Sequence, residues 1–174
     1  MTDEQLIRRI RESALLEGTF TLRSGRVSHY YLDKYLFETQ PDILAALAQR
    51  FAQRIGPDVD RLAGAELGGV PLVAAAAIAT GKPCVLIRNQ KKGYGTGKQI
   101  EGRLQPGDRV VLLEDIATTG GQVLEAAKLL TGQGAQVAKI IAVIDRQEGA
   151  RENIENAGFA FESLLTKADL GIDA

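Results

Sequence analysis

Short, uninterrupted apolar runs alternate with helical stretches through much of the chain. The predicted strands are 62–65, 84–87, 109–113 and 137–144, and the predicted helices between them are 72–80 and 122–130. Because the strands are almost continuously apolar, they are typical of a parallel sheet that is covered by helices on both faces. We therefore predict an open, doubly wound α/β fold with a mostly parallel sheet, in which ligands bind beyond the carboxyl ends of the strands.

The N-terminal part of the chain has a different pattern. Thr2 and Gln5 have the spacing of a capping box, which predicts a helix that ends near Gly18. Irregular or extended structure is expected over 20–36, and a second helix begins at Pro41, because proline suits the first turn of a helix.

The length of 174 residues fits a single domain with a substantial core. We expect residues 1–36 to form the N-terminal helix and a small hood, and residues 37–174 to form the α/β core. Residues 89–107 are rich in glycine and basic side chains and are long for a connection, so a mobile functional loop is expected there. A solvated hairpin is the alternative for this segment.

Charge and cysteine content limit the partners and the compartment. The formal net charge is -1, so no overall field attracts nucleic acid or an acidic membrane. Cys84 is the single cysteine and is expected to be a buried strand residue, so a reducing compartment is the simplest interpretation. The N-terminus has no signal-peptide pattern, and the longest apolar run, 70–79, is too short to span a bilayer. We expect a cytoplasmic protein.

The most informative segment is 110–122. A buried strand leads into two acids, Glu114 and Asp115, and then into a turn of small residues and a helix. Backbone N–H groups and hydroxyls of such a turn, together with the helix N-terminus, form a site for a phosphate. The carboxylates would repel that phosphate, so they are expected to accept hydrogen bonds from sugar hydroxyls or to hold a hydrated cation. The pattern favours a sugar phosphate over the alternative, a structural turn with two solvated acids.

Residues 114–122 resemble the phosphoribosyl pyrophosphate (PRPP) signature of type I phosphoribosyltransferases. Three further segments, 20–31, 88–97 and 145–148, are similar to those of the orotate phosphoribosyltransferases and occur in the same order and spacing. The resemblance extends from about residue 15 to 148. It implies transfer of the 5-phosphoribosyl group from PRPP to orotate, giving orotidine 5-phosphate and pyrophosphate in the synthesis of UMP.

The resemblance also implies roles for individual residues toward PRPP. Glu114 and Asp115 would hold the ribose 2- and 3-hydroxyls and are expected to be catalytic, together with Lys92, the principal loop lysine. Arg88, Lys92 and Tyr94 would bind phosphoryl oxygens. The rest of the signature completes the PRPP site with Ile116, Ala117, Thr118, Thr119, Gly120, Gly121 and Gln122. The last five of these residues would bind the 5-phosphate.

Four residues are implied for orotate: Thr118, Arg146, Arg23 and Tyr31. Arg146 matches the arginine that meets the orotate carboxylate, although an ion pair with Asp145 or Glu148 is an equal interpretation from the residues alone. For Tyr30, a core position is preferred. The resemblance further implies Mg²⁺ as the cofactor, mostly coordinated by substrate and water, and a homodimer in which the loop reaches the neighbouring site.

Three positions depart from the family pattern. Asn89 stands where lysine is frequent, Tyr94 where histidine is common, and Gly68 where some members have lysine. Losing cations there is expected to weaken pyrophosphate binding. Two other functions stay open at this point: a phosphoribosyltransferase for a purine base, and a non-catalytic regulator that senses PRPP.

Overall fold

The computed structural model describes residues 1–21, 25, 27–90 and 98–172. Its centre is a six-stranded sheet in the order β5–β4–β3–β6–β7–β8, parallel except for β5. The strands are β3 (Arg61–Ala65), β4 (Cys84–Ile87), β5 (Ile100–Glu101), β6 (Arg109–Ala117), β7 (Gln136–Asp145) and β8 (Phe161–Thr166). The strand order reverses between β3 and β6, which is where open α/β sheets bind ligands.

Helices cover both faces of this sheet, as the apolar strands predict. One face packs against α1 (Asp3–Ala14), α2 (Lys34–Glu38), α3 (Pro41–Arg54) and α4 (Gly69–Thr80). The other packs against α5 (Gly121–Gly132) and α6 (Ala150–Asn156). Side chains of β6 alternate between the two hydrophobic clusters, with Val111 and Leu113 on the first and Val110 and Leu112 on the second. The predicted doubly wound, mostly parallel α/β fold is confirmed.

The N-terminal region is more regular than the sequence predicts. The capping box of Thr2 and Gln5 is present, but α1 ends at Ala14, so the predicted end near Gly18 is wrong. Gly18 instead lies in β1 (Leu15–Thr21), which pairs with β2 (Val27–Leu32) as an antiparallel two-stranded sheet. This hairpin is the only sheet of the described N-terminal residues.

Two further expectations change in detail. Cys84 begins β4 as expected but is half-buried, because it lies on the strand's less covered face. Within 89–107, β5 pairs with the end of β4, so the described parts of this segment are the base of a hairpin. No helix among the described residues has the length and apolar character needed to cross a membrane.

Candidate active site

A cavity of about 740 Å³ opens at the carboxyl ends of β6 and β7. The hairpin contributes Thr21 and Tyr31 to its wall, and the end of β7 contributes Arg146 and Glu148. The segment from β6 into α5 supplies most of the lining: Glu114, Ile116, Ala117, Thr118, Thr119, Gly120, Gly121, Gln122 and Val123. Nearly all of the predicted signature therefore faces one space.

The turn between β6 and α5 exposes backbone donors to this cavity. Gly120, immediately before α5, has φ +79°, a left-handed conformation that favours glycine. Among the described residues, no side chain caps the N-terminus of α5, so the first N–H groups of the helix remain available to a ligand. Asn153 Nδ2 donates to the carbonyl oxygen of Thr119 at 2.9 Å and holds the turn against α6. This geometry suits a phosphate.

The two acids of β6 differ in their surroundings. Glu114 is buried and lines the cavity, whereas Asp115 lies outside the cavity's described lining and faces α2. There Lys34 Nζ donates to Asp115 Oδ2 at 2.6 Å. Burial, and then the adjacent Asp115 carboxylate, raise the pKa of Glu114 well above its ordinary value. Of the two acids, Glu114 therefore faces the cavity, whereas Asp115 forms a buried ion pair with Lys34.

The cationic side of the cavity is formed by Arg146. Its Nη2 lies 2.9 Å from Glu148 Oε1 and donates to the Tyr30 hydroxyl at 3.3 Å. The ion pair with Glu148 that the sequence left open is thus present, and Asp145 instead accepts from the Gln147 N–H. Tyr30 packs against the core, as preferred, while its hydroxyl reaches the site. Arg146 is therefore held in place without being withdrawn from the cavity.

Tyr31 lies at the mouth of the cavity. It is 44% exposed, and its ring packs against Phe20 with centroids 5.6 Å apart. An exposed aromatic that is fixed by a second ring is suited to cover a planar ligand.

A second group of polar contacts joins the end of β4 to the start of α5. The Asn89 N–H donates to Glu66 Oε1 at 2.7 Å, and Gln122 Nε2 donates to Asn89 Oδ1 at 3.3 Å. Arg88 adjoins this group and borders a separate cavity of about 60 Å³. Arg88 therefore lies near the signature but not in the described lining of the main cavity. Lys92, Tyr94 and Arg23 lie outside the described residues.

Several residues at the site were not assigned from the sequence. Thr21 and Glu148 line the cavity, and both lie within or beside segments that carry the family resemblance. Lys34 and Glu38 pack beneath the acids, yet nothing in their local sequence pattern indicates this. Within the described ranges, no group of three or more His, Cys, Asp or Glu side chains is placed to hold a metal ion.

The fold and the site define a phosphoribosyltransferase. The family model described as "Phosphoribosyl transferase domain" matches residues 37–168, which include the whole parallel sheet, the signature turn and Arg146. The hairpin and α1 lie before the matched residues.

Individual relatives narrow this class. An orotate phosphoribosyltransferase of Natronomonas pharaonis is 48% identical over 174 residues, covering 99% of this chain and 99% of the relative. A crystal structure of the Mycobacterium tuberculosis orotate phosphoribosyltransferase with Fe(III) dicitrate is 32% identical, with a TM-score of 0.87 over 97% of this chain and 98% of that one. The same enzyme's complex with PRPP is 30% identical, with a TM-score of 0.83 and the same coverage of both chains. The chain belongs to the orotate phosphoribosyltransferase family.

Proposed function

We propose that this protein transfers the 5-phosphoribosyl group of PRPP to orotate, forming orotidine 5-phosphate and pyrophosphate for the synthesis of UMP. The observation that carries the proposal is the lining of one cavity by an uncapped helix N-terminus, a buried acid and an arginine. These three features complement a phosphate, sugar hydroxyls and a carboxylate respectively. Both substrates together carry all three groups.

The ribose phosphate is proposed to occupy the β6–α5 turn. The 5-phosphate would accept hydrogen bonds from N–H groups and hydroxyls of Thr118, Thr119, Gly120, Gly121 and Gln122, with Ile116 and Ala117 forming the floor. The ribose hydroxyls would meet Glu114 and Asp115. Glu114 lines the cavity, so its carboxyl can accept a hydrogen bond from a ribose hydroxyl there.

Orotate is proposed to lie between Tyr31 and Arg146, with Thr118 and Arg23 as further contacts. The Arg146 guanidinium has the planar fork that suits a carboxylate. Because Glu148 already contacts one nitrogen of Arg146, the orotate carboxylate would either displace Glu148 or share the guanidinium with it. With its carboxylate at Arg146, orotate would direct its pyrimidine ring toward the ribose that is bound at the β6–α5 turn.

Catalysis is proposed to rest on positioning and electrostatics. The anomeric carbon gains oxocarbenium character as the bond to pyrophosphate breaks, so negative charge develops on the leaving group. Lys92, Arg88 and Tyr94 are proposed to stabilise that charge, and the deprotonated orotate ring nitrogen attacks from the other side. Glu114 and Asp115 fix the sugar during this step, so no covalent intermediate with the protein is needed.

Mg²⁺ is proposed as the cofactor and fits the residues present. Since no described cluster of carboxylates and imidazoles could hold the ion alone, most of its ligands would be phosphate oxygens of PRPP and water. When bound, it neutralises charge on the pyrophosphate.

A homodimer with shared active sites is proposed for the assembly. Helix α4 is apolar on all sides, and Ile78 on its outer face is 86% exposed. A helix of this composition is normally buried on every face, which supports a partner surface there. We also propose a single phosphoribosyltransferase domain and a cytoplasmic location.

A direct assay tests the reaction. The protein is mixed with Mg²⁺, PRPP and, in separate reactions, orotate, uracil, adenine, hypoxanthine or guanine, and nucleotide formation is followed. Orotidine 5-phosphate is expected from orotate, with little product from the other bases. Turnover of a purine but not of orotate would contradict the proposal that orotate is the substrate. PRPP binding without turnover of any base would favour a non-catalytic regulator that senses PRPP.

A further inference from the structure

A cluster of charged side chains lies beneath the acid pair, between β6 and α2. Lys34 and Glu38 are one helical turn apart in α2, and Lys34 Nζ donates to Asp115 Oδ2 at 2.6 Å. Asp115 is 3% exposed, and among the described residues Lys34 is its only cationic neighbour within ion-pair distance. Lys34 and Glu38 both act electrostatically on Glu114 as well. The cluster is therefore connected to both acids of the signature.

The surroundings of Glu38 explain why Lys34 forms its ion pair with Asp115 and not with Glu38. Its side chain is fully buried, and neither carboxyl oxygen has a hydrogen-bond partner in the described part of the chain. An ionised carboxylate in that position would be unfavourable. Burial, and then the Asp115 charge, raise the pKa of Glu38 to about 8. At neutral pH Glu38 is mostly uncharged, which leaves the ammonium group to the Asp115 carboxylate.

Gly68 fixes the other side of the cluster. A Cβ atom on Gly68 would overlap Asp115 Oδ2 and would lie 3.0 Å from Glu38 Oε1. A side chain at this position would therefore displace the Asp115 carboxylate.

We propose that Lys34 is a positioning residue for the ribose of PRPP, which fixes the Asp115 carboxylate at the end of β6. It acts through Asp115, whose Oδ2 accepts from Lys34 while its Oδ1 accepts from the backbone N–H of Ile116. The inference rests on the proposed function, in which the acid pair receives the ribose hydroxyls.

The test compares Lys34→Met with Lys139→Met in steady-state kinetics. Lys139 forms an ion pair of the same length, 2.6 Å, with Glu162, between β7 and β8 and away from the cavity lining. Lys34→Met is expected to raise KM for PRPP by roughly tenfold, the loss typical of a charge-assisted contact, with KM for orotate within about twofold. Lys139→Met is expected to change neither constant.

Two additional variants separate positioning from folding. Lys34→Arg keeps the charge and is expected to recover most of the affinity for PRPP, and it also serves if Lys34→Met fails to fold. In an Asp115→Asn background, Lys34→Met is expected to have little further effect on kcat/KM for PRPP, because the two changes remove the same contact.

The outcomes distinguish this inference from the proposed function. An active wild-type protein whose KM for PRPP is unchanged by Lys34→Met, or in which KM for both substrates rises equally, overturns the role of Lys34 alone. Full additivity of Lys34→Met and Asp115→Asn does the same. A wild-type protein that forms no orotidine 5-phosphate removes the proposed function and this inference together.

Discussion

At the scale of the residue, Glu38 gives the protein a measurable pH dependence. Folding raises the pKa of its carboxyl from an ordinary 4.5 to about 8, chiefly by burial. Between these values the folded state binds more protons than the unfolded state, so the free energy of unfolding falls as the pH rises. The loss of stability that Glu38 causes is absent below about pH 4.5 and complete above about pH 8.

Glu38→Gln removes that loss of stability while keeping the shape of the side chain. Relative to the wild type, the variant is expected to gain stability progressively from pH 5 to pH 8, by roughly 1–3 kcal/mol at the upper end. Denaturant unfolding at several pH values measures this, with Glu12→Gln on the exposed face of α1 as the control. Parallel stability curves for the wild type and Glu38→Gln would show that Glu38 is already ionised at neutral pH.

Arg146 is the residue on which base recognition depends most. Arg146→Lys keeps the charge but loses the planar fork, so KM for orotate is expected to rise roughly 10- to 100-fold, with KM for PRPP within about threefold. Arg109→Lys is a matched control, because Arg109 forms an ion pair of the same length, 2.9 Å, with Asp58 at the opposite end of β6. If Arg146→Lys kept the wild-type KM for orotate, Arg146 would have only a structural role, in its contacts with Glu148 and Tyr30.

The sequence places some of these residues at the site and misses others, and the difference has a physical reason. Glu114 lies near the carboxyl end of β6 and Arg146 directly follows β7, so the carboxyl edge of the parallel sheet brings them together. Lys34 and Asp115 are 81 positions apart and meet because α2, which packs against α1 and α3, brings the Lys34 ammonium to the end of β6. No local spacing encodes that contact. The same applies to Glu38, which looks like an ordinary solvated acid in the chain.

At the scale of the element, the β6–α5 turn depends on the conformation of Gly120. A Cβ atom there would lie 3.0 Å from Ile154 Cγ1 and 3.4 Å from the Ala150 carbonyl oxygen, in addition to the strain of φ +79°. Contact with α6 therefore fixes the direction in which the donors of the turn point.

Gly120→Ala is expected to destabilise the protein by roughly 1–3 kcal/mol and to raise KM for PRPP at least severalfold. Gly107→Ala provides the control, since Gly107 has φ +89° with no atom within 4 Å of an added Cβ. It should lose stability through strain alone and keep the wild-type KM. Equal KM values for the two variants would mean that the turn does not position the phosphate.

Elements that are buried on both faces were predictable, and elements at the edges were not. The predicted end of β6 at 113 is four residues short, because Glu114 and Asp115 look like the start of a loop although both are buried. β8 is an edge strand with an uneven burial pattern, and α6 has only seven residues. The β1–β2 hairpin is largely exposed and therefore has no apolar periodicity to reveal it.

At the scale of the whole molecule, the apolar outer face of α4 predicts the assembly. Ile78→Asp places a charge on that face without touching the described cavity lining. Sedimentation equilibrium is expected to give twice the chain mass for the wild type and a shift toward the monomer for the variant, because a buried unpaired charge opposes association. A dimer of unchanged affinity would place the interface on another surface.

The account depends most on where the ribose phosphate binds, and a crystal structure with orotidine 5-phosphate measures that directly. The phosphate is expected within about 3 Å of the N–H groups at the start of α5, with the ribose hydroxyls at Glu114 and the orotate carboxylate at Arg146. A nucleotide bound elsewhere, with the β6–α5 turn free of phosphate, would contradict the proposed site.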